Sequence, residues 1–286
     1  MSSQKRGADE ADLSNHAPVV KKPLLAREPS IFNIKPADDI VKYLANFLGS
    51  HCKLENVEIE AKLGILIDKQ TGKRMDIGAF TETIISRQDN RYYRFESNMS
   101  LEQHRHYNKM LNELVEKTNA PDYRGERIRY KHTNETDRFY EDSKTRKKCR
   151  VTVDQKTGQV VPNGIIEKTR VIDLNIHSPM QALDYRISVN LENPRPKPTT
   201  PATYERNKDR ISYQHGGISF DLTQVKTAAG KEGELSHELE LEFADVKALA
   251  NEKDKYDNKQ HSQYTQMIEV FVNNIRLLSR NTLRHQ

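Results

Sequence analysis

In SHELELEFAD, Ser236 to Asp245, a glutamate fills every second position, Glu238, Glu240 and Glu242, with Leu239, Leu241 and Phe243 between them. Successive side chains of a strand point to opposite faces, so a strand puts the carboxylates on one side and the apolar residues on the other. Wound as a helix, the same residues would scatter around the cylinder. One such segment is ordinary, because an antiparallel sheet often packs one face on a core and turns the other to water. Here the pattern recurs. In NVEIEAKLGI, Glu58, Glu60 and Lys62 oppose Val57, Ile59, Ala61 and Leu63. KKCRVTVD opposes Arg150, Thr152 and Asp154 to Val151 and Val153, and IIEKTRVID aligns Lys168 with Arg170. DYRISVNLE aligns Arg186, Ser188, Asn190 and Glu192; YERNKDRISY aligns Arg206, Lys208 and Arg210; GGISFDLTQV aligns Ser219, Asp221 and Thr223.

Seven independent solvated faces would mix Ser, Thr, Gln and charges of both signs. Instead two rows are glutamates and one, Arg206-Lys208-Arg210, is cationic. Like charges on neighbouring positions repel, and burying them unpaired is costly. The pattern becomes tolerable when opposed rows face each other across a shared space. A closed barrel supplies that space, its lumen polar and its apolar face turned outward under helices. The fold class expected is therefore α+β: a closed antiparallel β-barrel with a charged lumen and a few helices packed outside.

Composition agrees. Only 35% of the 286 residues are hydrophobic while 30% are charged, a lean core for this length unless many charges lie inside the fold. The net charge of +5 suits an anionic partner without naming one. Cys52 and Cys149 have no metal-like spacing, and no secretory signal is seen, so a reducing compartment is expected. No apolar run approaches the ~18 residues of a membrane span, so no membrane partner is expected.

Residues 1–30 are polar and aperiodic, with the basic pairs Lys5-Arg6 and Lys21-Lys22, and read as a disordered tail; residues 31–286 read as one domain. Helices are expected over PADDIVKYLANFL, about Ser100 to Thr118, and Gln263 to Arg280, each with an apolar stripe for core packing. NPRPKPTTP, Asn193 to Pro201, reads as an exposed loop.

Glutamate rows offer hard oxygen donors suited to Mg²⁺ or Mn²⁺, while the cationic row with Arg150 and Lys168 offers donors to phosphate oxygens. Both together suit a metal-bound polyphosphate, and phosphoryl transfer needs little beyond neutralised charge, clamps and a positioned water. No G-x-x-x-x-G-K-[ST] loop or kinase signature is present.

At this point the residues resemble a family. Glu58-Ile-Glu60-Ala-Lys62 resembles the E-x-E-x-K opening strand of the triphosphate tunnel metalloenzymes. Arg150-Val-Thr-Val-Asp154, Glu167-Lys168-Thr-Arg170, Arg206-Asn-Lys208-Asp-Arg210, Asp221-Leu-Thr223 and His237-Glu238-Leu-Glu240-Leu-Glu242 follow in the order of its fungal branch. That branch is the mRNA 5′-triphosphatase, the beta subunit of the capping enzyme. The resemblance implies hydrolysis of the γ-phosphate of 5′-triphosphate RNA, with Mg²⁺ or Mn²⁺ held by Glu58, Glu60 and Glu242. It implies phosphate contacts from Arg150, Lys168, Lys208 and Arg210, support from Arg206 and Asp221, and a water-orienting role for Glu192. Glu238 and Glu240 are expected to organise the cationic row through salt bridges. A nuclear location and a homodimer are also implied. Leu63 stands where an aromatic is usual, and Ser219 where a basic residue is expected, so one tunnel bridge is expected to be absent. The chain has no Trp, which argues against the Trp-containing guanylyltransferase tether of budding-yeast relatives and favours recruitment through the phosphorylated RNA polymerase II tail.

Two other readings stand beside this one. Another phosphohydrolase of the same fold, an inorganic triphosphatase or NTPase, would not be expected to show the later rows in this order. A non-catalytic RNA-binding module fits the net charge but gives no reason for glutamate rows, which repel RNA.

Overall fold

The computed structural model describes residues 27–141, 147–227 and 235–283. It contains strands β1 (Val57–Asp68), β2 (Thr83–Ile84), β3 (Tyr93–Glu96), β4 (Arg129–Glu141), β5 (Lys148–Asp154), β6 (Val160–His177), β7 (Asp184–Pro194), β8 (Tyr204–His215), β9 (Ile218–Thr227) and β10 (Leu235–Phe243). The helices are α1 (Asp39–Gly49), α2 (Leu101–Asn119), α3 (Val246–Asp257) and α4 (Tyr264–Arg280). Most of the expected tail lies outside the described residues. Asp38–Gln286 forms one compact unit, distinct from the residues that precede it.

Eight strands close the barrel in the order β1-β10-β9-β8-β4-β5-β6-β7, and β7 returns to β1. Every pairing is antiparallel. The register keeps the charged rows on one face: Glu60 lies opposite Glu242 and Lys62 opposite Glu240, while Glu238 lies opposite Thr223, itself opposite Arg210. A one-residue slip would turn each row outward into the hydrophobic layer, so the alternation itself fixes the register.

The outer face carries the core. Ile59, Ala61 and Leu63 of β1 and Leu239 and Leu241 of β10 are fully buried in the same cluster as Leu44 and Leu48 of α1 and Phe271 and Ile275 of α4. Leu63 thus lies in this outer layer, away from the lumen, where an aliphatic side chain packs as well as a ring. Helix α4 packs on β1, β7 and α1, and α2 on β9 and β10. The helices begin where capping chemistry allows. Asp38 accepts from the backbone of Ile40 and Val41, and Ser100 with Gln103 forms a reciprocal capping box on α2. Two glycine sites are required. Gly216-Gly217, both at positive φ, turn β8 into β9, and a Cβ on Gly64 would stand 2.2 Å from the Glu96 carbonyl where β3 crosses β1.

Four of these strands and helices are not expected from the sequence. Strand β4 completes the barrel between β5 and β8, the short β2 and β3 pair with β6 and β1, and α3 follows β10. Helices α1, α2 and α4 agree with the expected segments, and the Asn193–Pro201 loop agrees beyond the end of β7 at Pro194.

Candidate active site in the barrel lumen

The inward residues enclose a cavity of about 470 Å³. Of the twelve residues singled out from the sequence, eleven line it; Asp221 sits behind Arg210 and does not. The cavity has two chemically opposed walls.

On the first wall, β8 carries the cationic row and its neighbours hold it in place. Arg210 donates from Nε to Thr223 Oγ1 at 3.0 Å and from Nη1 to Asp221 Oδ2 at 2.6 Å, with Nη2 3.6 Å from Glu240. Burial opposes its charge, but Asp221 and Glu240 outweigh burial and raise its pKa. Lys208 ion-pairs with Asp137 at 3.0 Å and Glu135 at 3.3 Å, both on β4. Burial favours a neutral Asp137, yet Lys208 and Arg150 hold its carboxyl below the ordinary range, and Thr152 donates to it. Arg206 reaches Glu238 at 3.5 Å.

On the second wall, β1, β7 and β10 bring the carboxylates together. Lys168 bridges Glu58, Glu60 and Glu192, and Asn190 donates to Glu58 at 2.8 Å and Glu60 at 3.1 Å. Glu192 Oε1 also accepts from Arg150 at 3.2 Å. Glu240 binds Lys62 at 2.5 Å; burial alone would raise the Glu240 pKa, but Lys62 and Arg210 drive it well below the ordinary value. The neighbouring Glu238 moves the other way, raised by burial and by Glu240.

Glu242 is different. It has no ion pair among the described residues, and burial together with Asp221 and Glu58 pushes its pKa up to about 8. The expected basic neighbour is replaced by Ser219, the register partner of Glu242, whose hydroxyl donates instead to Asp221. A carboxylate surplus with only oxygen donors at hand suits a hard divalent cation. Among the described residues no three such side chains converge into a preformed metal centre, since Glu58 and Glu60 are engaged by Lys168 and Asn190.

Several contributors were not assigned from the sequence. Asp137 and Glu135 lie on the unexpected β4. Asn190 and Lys62 were placed on inward faces but given no task, although Asn190 is fully buried between the two β1 glutamates. Their signal was the same alternation that marked their neighbours.

The family model described as "mRNA capping enzyme, beta chain" matches residues 34–284. The chain belongs to the mRNA capping enzyme beta chain family. Among its relatives, the mRNA-capping enzyme subunit beta of Schizosaccharomyces pombe is 34% identical over 260 residues, 88% of this chain and 84% of that protein. The Cryptococcus neoformans subunit beta is 32% identical over 262 residues, and there the match spans 64% of the relative's length. The solved S. pombe Pct1 RNA triphosphatase superposes with a TM-score of 0.84 at 33% identity, covering 91% of this chain and 100% of that one. A second structure of Pct1, in complex with the Spt5 CTD, gives a TM-score of 0.83 over 90% of this chain and 100% of that one. Within the capping enzyme beta chain family, the charged lumen is thus carried on a shared barrel.

Proposed function

We infer that this chain is an RNA 5′-triphosphatase of mRNA capping, which hydrolyses the γ-phosphate of 5′-triphosphate RNA to leave a 5′-diphosphate. The observation carrying this reading is the pair of opposed walls: guanidinium and ammonium groups face a carboxylate surplus across one closed lumen. Arg210, Lys208, Arg150 and Lys168 are assigned to the phosphate oxygens, where fixed cations stabilise charge gathering in the transition state. Their geometry is set beforehand, Arg210 by Thr223 and Asp221, Lys208 by Asp137. Glu192, hydrogen-bonded to Arg150, is assigned to orient the attacking water and take its proton on a carboxylate oxygen. The bond from the γ-phosphorus to the β,γ-bridging oxygen breaks as the water oxygen bonds to phosphorus. Glu58, Glu60 and Glu242 are assigned to a divalent cation, Mg²⁺ or Mn²⁺, which when bound supplies Lewis-acid neutralisation of phosphate charge.

Pct1 has been solved with the Spt5 CTD. We assign this chain a CTD partner as well, with the phosphorylated RNA polymerase II tail the one its family resemblance implies, and we assign it a nuclear location and a homodimeric state. The activity is tested by phosphate release from triphosphate-ended RNA with Mg²⁺ or Mn²⁺, run beside ATP and tripolyphosphate. Cleavage of RNA at the γ-position supports the reading. Turnover of tripolyphosphate and ATP with inert RNA would replace it with the inorganic triphosphatase or NTPase alternative.

A further inference from the structure

The lumen lining is mostly ionic, with Thr223 and Val225 among the charges, and its aromatic residues are a single pair near the end of β4 and the start of β8. Phe139 of β4 and Tyr204 of β8 are register partners, and their rings stack 4.4 Å apart and 6° from parallel. Both rings line the cavity and both are half-buried. Neither ring carries a charge to neutralise a phosphate or a metal ion. On the next strand Arg150, a phosphate clamp, is the register partner of Phe139, so the rings lie one position from the assigned polyphosphate. Lys148, exposed and without an ion pair among the described residues, stands beside them and also lines a second cavity of about 530 Å³. That second cavity carries Lys147, Arg195 and Lys197 on its walls together with Glu141 and Glu167, and Glu167 is ion-paired to Lys147 and Arg195.

We propose that Phe139 and Tyr204 form a stacking platform for the first nucleobase of the RNA, and that Lys148 leads the following phosphates into the second cavity. The proposal rests on the RNA 5′-triphosphatase reading. A triphosphate clamped by Arg150 and Lys168 must leave its nucleoside at one end of the lumen, and only this end offers π-faces. Stacking accepts any base, because every base has a π-face, which suits an enzyme acting on transcripts of differing sequence. The backbone leaving the platform meets Lys148 and then Lys197, neither with an ion pair among the described residues, and lysine is a residue that contacts phosphates without reading sequence.

The test compares RNA with a substrate that has no base. For Phe139→Leu and Tyr204→Leu, the ratio of kcat/KM for triphosphate RNA to that for tripolyphosphate should fall ~5- to 100-fold, the loss expected when one base contact is removed. The loss should sit mainly in KM, and Phe139→Tyr should restore the ratio. A second measurement guards against misfolding. The chain has no Trp, so Phe139→Trp places a lone indole on the platform. Its emission should be quenched by RNA ending in a triphosphate and left unchanged by tripolyphosphate. An unchanged ratio in the leucine variants, or equal quenching by both ligands, would overturn the platform. Quenching by triphosphate RNA in Phe139→Trp, with wild-type protein that never cleaves RNA, would instead count against the activity and leave the platform standing.

Discussion

Arg210 shows what a single side chain does in this lumen. Its three nitrogens are committed in different directions, to Thr223, Asp221 and Glu240, and only a planar fork can meet all three. Arg210→Lys keeps the charge but loses that geometry, and is expected to lower kcat on triphosphate RNA roughly 10²-fold, the usual cost of one misplaced transition-state donor. Near-normal turnover would return the row to an ordinary solvated face. Lys208 tests stability more than chemistry. It is the ion-pair partner of Asp137, whose side chain is 3% exposed. Lys208→Met removes the nearest cation from a buried carboxylate and leaves it only the Arg150 charge and the Thr152 hydroxyl, so a loss of about 3 kcal/mol is expected from urea unfolding. A loss below about 0.5 kcal/mol, typical of surface changes, would show that Arg150 and Thr152 suffice to hold the Asp137 charge.

At the scale of elements, the strands that were legible in the sequence are those whose two faces differ chemically. Strand β10 alternates glutamate with leucine because helices cover its outer face. Strand β4 carries no such contrast. Its inward Glu135 and Asp137 serve Lys208, but its outward side pairs polar with polar: Arg138 with Glu205, His132 with Asp209, Thr136 with Asn207. With polar groups on both faces, period-two contrast vanishes and the strand is invisible to hydrophobic patterning. Helix α3 was missed for a related reason, since Leu249 is its only buried residue and one position makes no stripe. Where α2 meets β10, packing predicts a pH effect. His104 and His237 are 7% and 6% exposed, their ring centroids lie 4.8 Å apart, and neither Nε2 has a hydrogen-bond partner among the described residues. Burial, then His237, lowers the His104 pKa from 6.5 to about 4, with Asp209 opposing weakly. The folded state therefore binds this proton less readily than the unfolded chain. Stability from this group is complete above pH 6.5 and is lost as pH falls toward 4, by about 3 kcal/mol at most. His104→Phe keeps a ring and removes the titration, so its melting temperature should fall less steeply than wild type across that window. Parallel slopes would place the acid sensitivity elsewhere.

For the whole molecule, charge balance and the limits of the domain make separable predictions. The family match runs over residues 34–284, and a chain starting near Ser30 is expected to cleave RNA at the full-length rate; lost activity or solubility would make the preceding residues part of the working domain. The lumen itself carries eight lysine or arginine and seven carboxylate side chains, close to neutral as it stands. A polyphosphate entering alone would swing it strongly negative, against Glu242 and its neighbours, and a divalent cation alone would add to an already cationic wall. Bound together they restore the balance. The two ligands should therefore help each other bind, by the same factor in either order, with a coupling of ~1–3 kcal/mol. Differential scanning with Mn²⁺, tripolyphosphate and both, at short times or in a hydrolysis-resistant analogue, reads this directly. With one ligand alone at ~100 times its Kd the stabilisation is about 2.7 kcal/mol, or roughly 5–10 °C for a domain of this size, and with both present the shift should exceed the sum of the two by the coupling. Glu242→Gln removes the carboxylate that has no cation of its own. It should abolish RNA hydrolysis and erase the coupling, because polyphosphate still has its clamps while the metal has lost a charged donor. Shifts that merely add in wild type, or a coupling that survives Glu242→Gln, would mean that metal and phosphate do not meet at this wall of the barrel.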